Sequence, residues 1–255
     1  MILLLSPAKI QQFTTEVPTQ HHSLPVFLQE ANQLVELMRG LSASELSKLL
    51  QINRDLTQLN LDRLVQWHLP FTPDNARQAA AVFDGEVFRG LNATRFTDTD
   101  WAFAQLHLRI FSGLYGVLRP LDLIQPYRLE VSSKLKNPSG RDLYPFWKEK
   151  VSALLLGELK AQAGDVFFLN LASSEYFKMT TFDKADVPVV DVEFYEYKHD
   201  TFRQVVMYTK KARGLLARYV ITHRITTLEE LKGFDTEGYW FDPQRSTENK
   251  LVFVR

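Results

Sequence analysis

The chain contains short apolar runs that suit strands buried on both faces. Residues 2–6 are "ILLLS" and residues 165–171 are "DVFFLNL". Apolar runs of four to eight residues bounded by polar or turn residues are typical of buried strands. The β-branched and aromatic segments 187–197 and 201–209 predict a hairpin closed by residues 198–200. The sequence therefore predicts a β-sheet through the core of the molecule.

Amphipathic segments between these runs predict helices. Ser23 is the expected N-cap of a first helix that ends at Gly40, and Ser42 with Glu45 forms the capping box of a second helix up to Leu50. Further helices are expected near 53–68, 73–82, 97–110, 142–162, 210–222 and 227–232, with compact loops over 111–131 and strands near 238–242 and 251–255.

No linker rich in proline, serine or glycine divides the chain, and no repeat is present. We therefore predict one α+β domain over residues 1–255, with a mixed β-sheet surrounded by helices. No apolar run approaches the ~20 residues needed to cross a bilayer, and the N-terminus lacks the basic start of a signal peptide. These features favour a soluble cytoplasmic protein without a membrane partner.

Composition limits the chemistry that is available. There are no cysteines, which excludes disulfides, thiolate metal sites and cysteine nucleophiles. The six histidines show no metal-ligand spacing, and the common glycine-rich phosphate loops are missing. We therefore expect no metal and no cofactor. The formal net charge is +0, so nucleic-acid affinity would require a local basic patch or cleft.

One segment is strongly basic. Between Lys198 and Arg224 there are seven lysines and arginines against one acid, Asp200. On a helical wheel the cations of residues 210–224 share one arc, and Gly214 lies inside that arc. This pattern predicts either a solvated helix face or an anion-binding face, in which Gly214 allows the close approach of a phosphate or of another backbone. The cations concerned are Lys210, Lys211, Arg213, Arg218 and Arg224.

Residues 34–50 are compatible with a helix-hairpin-helix element. Gly40, Leu41 and Ser42 occupy the turn of that pattern, where free backbone N–H groups at the start of the second helix can hold a phosphate. Lys48 could add positive charge. Ser42 replaces the usual second glycine, and Glu45 lies close to the phosphate position. The alternative is two antiparallel helices joined by a capped turn.

Polar residues follow the two buried runs at their carboxyl ends. Ser6 and Lys9 follow the first run, and the second leads through Asn170 to Ser173 and Lys178. Ligands gather at the carboxyl ends of strands in α/β sheets, so these residues predict a pocket. A lysine there could bind phosphate or form a Schiff base, and the alternative is that these residues are loop caps and surface ion pairs.

The middle of the chain interleaves basic and aromatic residues. Arg119, Arg128 and Arg141 accompany several tyrosines between residues 115 and 144. Arginines beside aromatic rings suit contacts to a nucleic-acid backbone and stacking on unpaired bases. Loops that pack over a core show the same composition, so the alternative is structural.

Several longer sequence segments resemble those of one protein family. "LSPAK", "FSGLYGVLRPLDLIQPYRLE", "GRDLYPFW", "NLASSEYFK", "KKARGLLARYVI" and "GFDTEGYWFD" together resemble the YaaA family of bacterial peroxide stress proteins, from Met1 to about Arg255. The resemblance implies a cytoplasmic protein of the hydrogen-peroxide response, with a family-specific fold, that binds double-stranded or branched DNA through a positively charged cleft and a helix-hairpin-helix. Carried over to this chain, it implies cleft residues among Ser6, Lys9, Arg119, Arg128, Arg141, Lys178, Lys210, Lys211, Arg213 and Arg218.

The leading functional hypothesis is DNA binding without sequence specificity, which limits iron-driven oxidative damage, with possible self-association on DNA. Four to six neutralised phosphates would give a slope of log K against log salt of about −4 to −5. The alternative is an enzyme that acts on a nucleotide or on damaged nucleic acid through Lys9 or Lys178. Direct iron sequestration is disfavoured by the missing ligand pattern.

Overall fold

The computed structural model describes residues 1–14, 16–162, 165–182, 187–198 and 200–255. The turn residue His199 of the predicted hairpin lies outside these ranges. In chain order the strands are β1 (Ile2–Leu5), β2 (Ile10–Gln11), β3 (Arg77–Gln78), β4 (Phe83–Asp84), β5 (Leu108–Ser112), β6 (Gly116–Leu118), β7 (Leu123–Ile124), β8 (Phe168–Leu171), β9 (Val189–Lys198), β10 (Thr201–Arg203), β11 (Trp240–Phe241) and β12 (Lys250–Val254).

The helices pack around the sheet that these strands form. They are α1 (Leu28–Arg39), α2 (Ala43–Leu50), α3 (Arg54–Gln66), α4 (Ala79–Val82), α5 (Glu86–Leu91), α6 (Asp98–His107), α7 (Leu143–Lys160), α8 (Ser174–Phe177), α9 (Val206–His223) and α10 (Leu228–Leu231). Within the described ranges, none of them combines the length and the apolar character that crossing a membrane requires.

The main sheet mixes parallel and antiparallel pairs. Its strand order is β11-β12-β9-β8-β1-β5-β6, and β10 pairs with the end of β9. The neighbours β12, β9, β8, β1 and β5 run parallel, whereas β6, β10 and β11 are antiparallel to their partners. Every residue of β1 is buried, as expected for a central strand with partners on both sides. The predicted α+β domain with a mixed sheet and buried strands near 2–6 and 165–171 is confirmed.

Local sequence signals located most of the long helices correctly. Ser42 and Glu45 form the predicted capping box at the start of α2. Thr97 with Asp100 and Thr227 with Glu230 form similar boxes at α6 and α10. In each box a hydroxyl accepts a bond from the N3 backbone N–H, and the acid accepts one from the N-cap N–H. Helices were also predicted correctly near α3 and α7.

Two predicted helix starts were wrong. Ser23 does not begin α1, because its hydroxyl donates to the buried carboxylate of Asp122 at 2.6 Å and the helix starts at Leu28. The segment 73–82 is helical over Ala79–Val82 alone, since the preceding β3 pairs with β7. In both places a partner far along the chain overrides the local signal.

Two boundaries in the sheet were also wrong. The helix expected to reach residue 110 ends at His107, and the following residues form β5, a direct neighbour of β1. The second strand of the predicted hairpin is confirmed over Thr201–Arg203 alone, because α9 already begins at Val206. The basic helix is therefore longer than expected at its N-terminal end.

Two glycines bring α5 and α9 into backbone contact. A Cβ atom on Gly214 would lie 1.8 Å from the carbonyl oxygen of Val87, and one on Gly90 would lie 2.3 Å from the carbonyl oxygen of Lys211. Real Cβ atoms do not approach other heavy atoms so closely, so the two helices can pack in this way through glycine alone. Of the two reasons considered for Gly214, the structure supports the approach of another backbone.

The predicted arc of cations on α9 does not form one exposed helix face. Gly214, Ala217 and Ile221 lie on the predicted cationic side and are buried, as are Leu216 and Val220 on the apolar side. α5 covers part of the predicted cationic side of α9. The cations of α9 therefore do not form one continuous exposed surface.

We predict that Gly214→Ala lowers the free energy of unfolding by about 3 kcal/mol, because the added methyl group forces α5 and α9 apart. Urea unfolding followed by circular dichroism measures this loss. Gly157→Ala in α7 is the matched control, since a Cβ there meets no atom within 4 Å. The control should be unchanged or more stable by up to about 1 kcal/mol. Equal stability of the two variants would contradict the packing argument.

Candidate functional site

A cleft of about 510 Å³ opens at the carboxyl ends of β1 and β8. From β1 the chain continues to β5 on one side of the sheet, whereas β8 is followed by β9 on the other side. This reversal is a topological switch point, where open α/β sheets bind their ligands. Ser6 and Ser173, which follow the two strands, line the cleft as the sequence predicted for a pocket.

The two serines connect the strand ends directly. The backbone N–H of Ser173 donates to Ser6 Oγ at 2.8 Å, and the two hydroxyl oxygens lie 3.2 Å apart. Asn170 lies on β8. Its side-chain amide donates to Asp191 on β9 at 2.7 Å, and its side-chain oxygen accepts from the backbone N–H of Ala172. The bonds between Ser6 and Ser173 hold the floor of the cleft in place without a ligand, whereas Asn170 does not line the cleft.

The cleft carries charges of both signs. Four basic side chains line it, and so do four acids; they are Lys9, Arg128, Lys210 and Arg213, with Asp84, Glu86, Glu130 and Glu175. Glu130 lies 2.9 Å from Lys9 Nζ and 3.6 Å from Arg128. Its single carboxylate therefore serves two cations. Asp84 and Glu86 are both paired with Arg89.

Arg213 lines the cleft and forms no ion pair within the described residues. Its Nε atom is buried and has no hydrogen-bond partner among the described residues. Burial lowers the pKa of the guanidinium, and attraction from Asp191 opposes this shift only in part. A buried charge without a partner is unfavourable unless a ligand supplies one. The Nε atom of Arg128 is likewise buried without a partner in the described part of the chain.

Lys210 lies three residues before Arg213 on α9 and is exposed at the edge of the cleft. The ion pairs formed by α9 and its C-cap, within the described residues, are Lys211 with Glu237 and Arg224 with Asp100. Lys210 and Arg213 therefore face the cleft without a carboxylate partner from the described chain.

The other predicted DNA contacts lie away from the cleft or have partners of their own. Arg119 forms an ion pair with Asp122 at 3.0 Å. Arg218 donates to the carbonyl oxygens of Leu91 and Asn92, which caps the C-terminal end of α5. Arg141 and Lys178 are exposed, and neither lines the cleft. Whether these residues touch DNA stays a prediction.

The turn between α1 and α2 does not show a helix-hairpin-helix. The side chain of Ser42 accepts from the N–H of Glu45, and the Glu45 carboxylate accepts from the N–H of Ser42. These bonds occupy donors that a phosphate would need, and bonding to Ser42 lowers the pKa of Glu45, which keeps it charged. Gly40 has helical backbone angles, and Lys48 is exposed on α2.

Sequence reasoning missed the acidic and aromatic part of the cleft. Asp84, Glu86 and Phe88 come from a segment for which no element was predicted, and Tyr176 was not singled out. The word "DGEVFRG" (84–90) contained a usable signal, since an acid after Gly85 suits the first turn of a helix. Nothing local in that word indicates that it faces α9.

The described residues contain no cluster of three or more histidine, aspartate or glutamate side chains that could hold a metal ion. The cleft instead combines hydroxyl groups, carboxylates and guanidinium groups. Such a set can bind an anionic group together with hydrogen-bond donors on the same ligand.

The fold and the cleft define a class: an α+β protein with a ligand cleft at the switch point of a mostly parallel sheet. A family model described as peroxide stress protein YaaA matches residues 1–245, and the chain belongs to that family. The resemblance of the sequence words is thereby confirmed. The family description is consistent with a role in the response to hydrogen peroxide.

We predict that Arg213→Met leaves the free energy of unfolding of the ligand-free protein unchanged or raises it by about 1 kcal/mol, because an uncompensated charge is removed. Urea unfolding measures the change. Arg224→Met, which removes the partner of Asp100 at 2.8 Å, is the matched control. It should destabilise the protein by about 1 kcal/mol. A loss for Arg213→Met larger than that of the control would give Arg213 a structural role.

Proposed function

We propose that the protein binds DNA in the response to hydrogen peroxide, and that one nucleotide unit of a strand enters the cleft. The observation that carries this proposal is Arg213, whose Nε lies buried at the cleft without a partner in the described chain. A phosphate oxygen on Arg213 would form a charge-assisted hydrogen bond and compensate the buried charge. Lys210, one helical turn away at the edge, would contact the adjoining phosphate.

The size of the cleft favours a single nucleotide over a duplex. Its volume of 510 Å³ lies within the usual range for small-ligand sites, about 300–1,000 Å³. A duplex, whose major groove alone is about 12 Å wide, is too large for such a cleft. A double-stranded or branched DNA would therefore remain outside, against Lys210, while an unpaired nucleotide enters.

The acids of the cleft support the same interpretation. A uniformly cationic groove suits any polyanion, whereas Glu130 and Glu175 would repel phosphates. Carboxylates accept hydrogen bonds from the amino groups of bases. Tyr176 and Phe88 also line the cleft and add apolar surface for a base. The mixture of charges thus suits a nucleotide with its phosphate at Arg213 and its base toward the acids.

Binding of this kind would cover unpaired DNA and limit iron-driven oxidative damage to it. This biological role is proposed from the peroxide stress family to which the chain belongs. The enzymatic alternative through a pocket lysine has less support. Lys9 is 62% exposed and paired with Glu130, whereas a Schiff-base lysine is usually desolvated, and Lys178 lies outside the cleft.

We expect a weak salt dependence of DNA binding. With Lys210 and Arg213 as the unpaired cations of the cleft, about two phosphates are neutralised, and the slope of log K against log salt should be about −2. This is less steep than the sequence predicted, because Glu130, Asp122 and Glu237 already pair with other cations. Fluorescence anisotropy with a labelled gapped duplex between about 50 and 200 mM salt measures the slope. A slope of about −4 or steeper would require a wider cationic surface.

We expect Arg213→Gln to weaken binding of the gapped duplex by about tenfold, since a charge-assisted hydrogen bond is lost. Lys210→Gln should weaken it by about threefold because the contact is exposed. Lys211→Gln is the matched control on the same helix, since Lys211 is paired with Glu237 outside the cleft. Lys48→Gln tests the α1–α2 turn. Neither control should change the affinity, and an effect of Lys48→Gln alone would move the interface to that turn.

A further inference from the structure

Arg63 on α3 is half-buried and forms no ion pair with a carboxylate of the described residues. Burial is the main cause that lowers the pKa of its guanidinium, and repulsion from Arg128 adds to it, with no acid opposing the shift. Arg63 and Arg128 line one small cavity together with Trp67 and Tyr127. Two neighbouring guanidinium groups that lack a shared carboxylate destabilise each other, and an anion would reverse that effect.

A pocket of about 300 Å³ shares Arg63, Trp67 and Pro126 with this small cavity. Arg77 and His68 also line it, and the sequence alone suggested no function for either residue. Asp74 is the one acid among the lining residues, and it is exposed without an ion pair in the described chain. The electrostatic character of this pocket is therefore basic.

The wall of the pocket is formed without a ligand. Gln125 is buried and accepts from the backbone N–H of His68 at 3.0 Å, while its amide donates to the carbonyl oxygen of His68 at 2.9 Å. Arg77 donates to the carbonyl oxygen of Ala76 at 2.8 Å and also to that of Pro73, which holds its guanidinium beside the pocket. The ring nitrogens of His68 are also engaged, with the carbonyl oxygen of Gln66 at 2.7 Å and the amide of Asn75 at 3.2 Å. The donors that remain for a ligand are the guanidinium group of Arg63 and the other nitrogens of Arg77.

We propose that this α3 pocket, lined by Arg63, His68, Arg77 and Gln125, binds a phosphate group. The ligand class follows from the planar donors of Arg63 and Arg77, which match the oxygens of a phosphate. The pocket is distinct from the cleft, and Arg128 lies between the two. A phosphate in the α3 pocket compensates Arg63 and thereby reduces the repulsion on Arg128. This inference does not depend on DNA binding by the cleft.

The test uses inorganic phosphate and removes the contact in the cleft first. In an Arg213→Met protein, isothermal titration should still detect saturable phosphate binding. Adding Arg63→Met should weaken that binding by about tenfold, as expected for the loss of a charge-assisted hydrogen bond. Adding Arg54→Met, an exposed arginine on the same helix, should leave it unchanged. Equal affinities of the two double variants, or no saturable binding in the Arg213→Met protein, would overturn the proposal.

A second measurement covers the case in which a double variant fails to fold. In the wild-type protein, the Nε–H resonance of Arg63 in arginine-labelled NMR spectra should shift with added phosphate, and that of Arg54 should not. If the resonance of Arg63 does not move at saturating phosphate, the α3 pocket does not bind it.

Discussion

The contact between α5 and α9 determines the shape of the candidate site. Gly90 and Gly214 allow the two helix backbones to touch, and this contact places Asp84–Phe88 opposite Lys210 and Arg213 across the cleft. Helices normally pack with their axes 8–10 Å apart, and larger side chains increase the distance. With alanines at these positions, α9 would move away from the end of the sheet and Arg213 would leave the strand ends. The two glycines thus bring the acids Asp84 and Glu86 close to the cations Lys210 and Arg213.

The ion pairs then distinguish the cations that stabilise the fold from the cations that remain available to a ligand. Arg119, Lys211 and Arg224 have carboxylate partners, and Arg218 caps α5. Arg213 and Arg63 form no ion pair within the described residues, and burial lowers the pKa of both guanidinium groups, although Asp191 partly opposes the shift at Arg213. A partly buried guanidinium group without an ion pair lowers stability, and we propose that a ligand compensates it. The abundance of basic residues in residues 198–224 is a weaker guide than this one property.

The sequence predictions were correct where the interacting residues are close together along the chain and wrong where they are far apart. Ser42, Thr97 and Thr227 cap helices through partners three residues away, and each helix start was predicted correctly. Ser23 has the same local signal, but Asp122 binds it from a distance of 99 residues. The strand β5 was missed because its pairing with β1 joins residues more than 100 positions apart.

The same distinction applies to the site. Ser6, Lys9 and Ser173 were predicted from the rule that ligands gather at strand ends, and they line the cleft. Arg218 could not be assigned from sequence, because its partners Leu91 and Asn92 are set by tertiary packing. Arg119 pairs with the nearby Asp122, and only its bond to the carbonyl oxygen of Leu24 depends on tertiary packing. Asp84 and Glu86 were missed for the same reason. Charge counted along a chain does not reveal which charges remain available after folding.

The central claim is that Arg213 Nε, which has no hydrogen-bond partner among the described residues, binds a phosphate of the ligand. The most direct measurement is a crystal structure of the protein with a short single-stranded oligonucleotide. We expect a phosphate oxygen about 3 Å from Arg213 Nε, with the attached nucleotide inside the cleft. An oligonucleotide bound along the α1–α2 turn or another surface, with Arg213 Nε still without a partner, would contradict it.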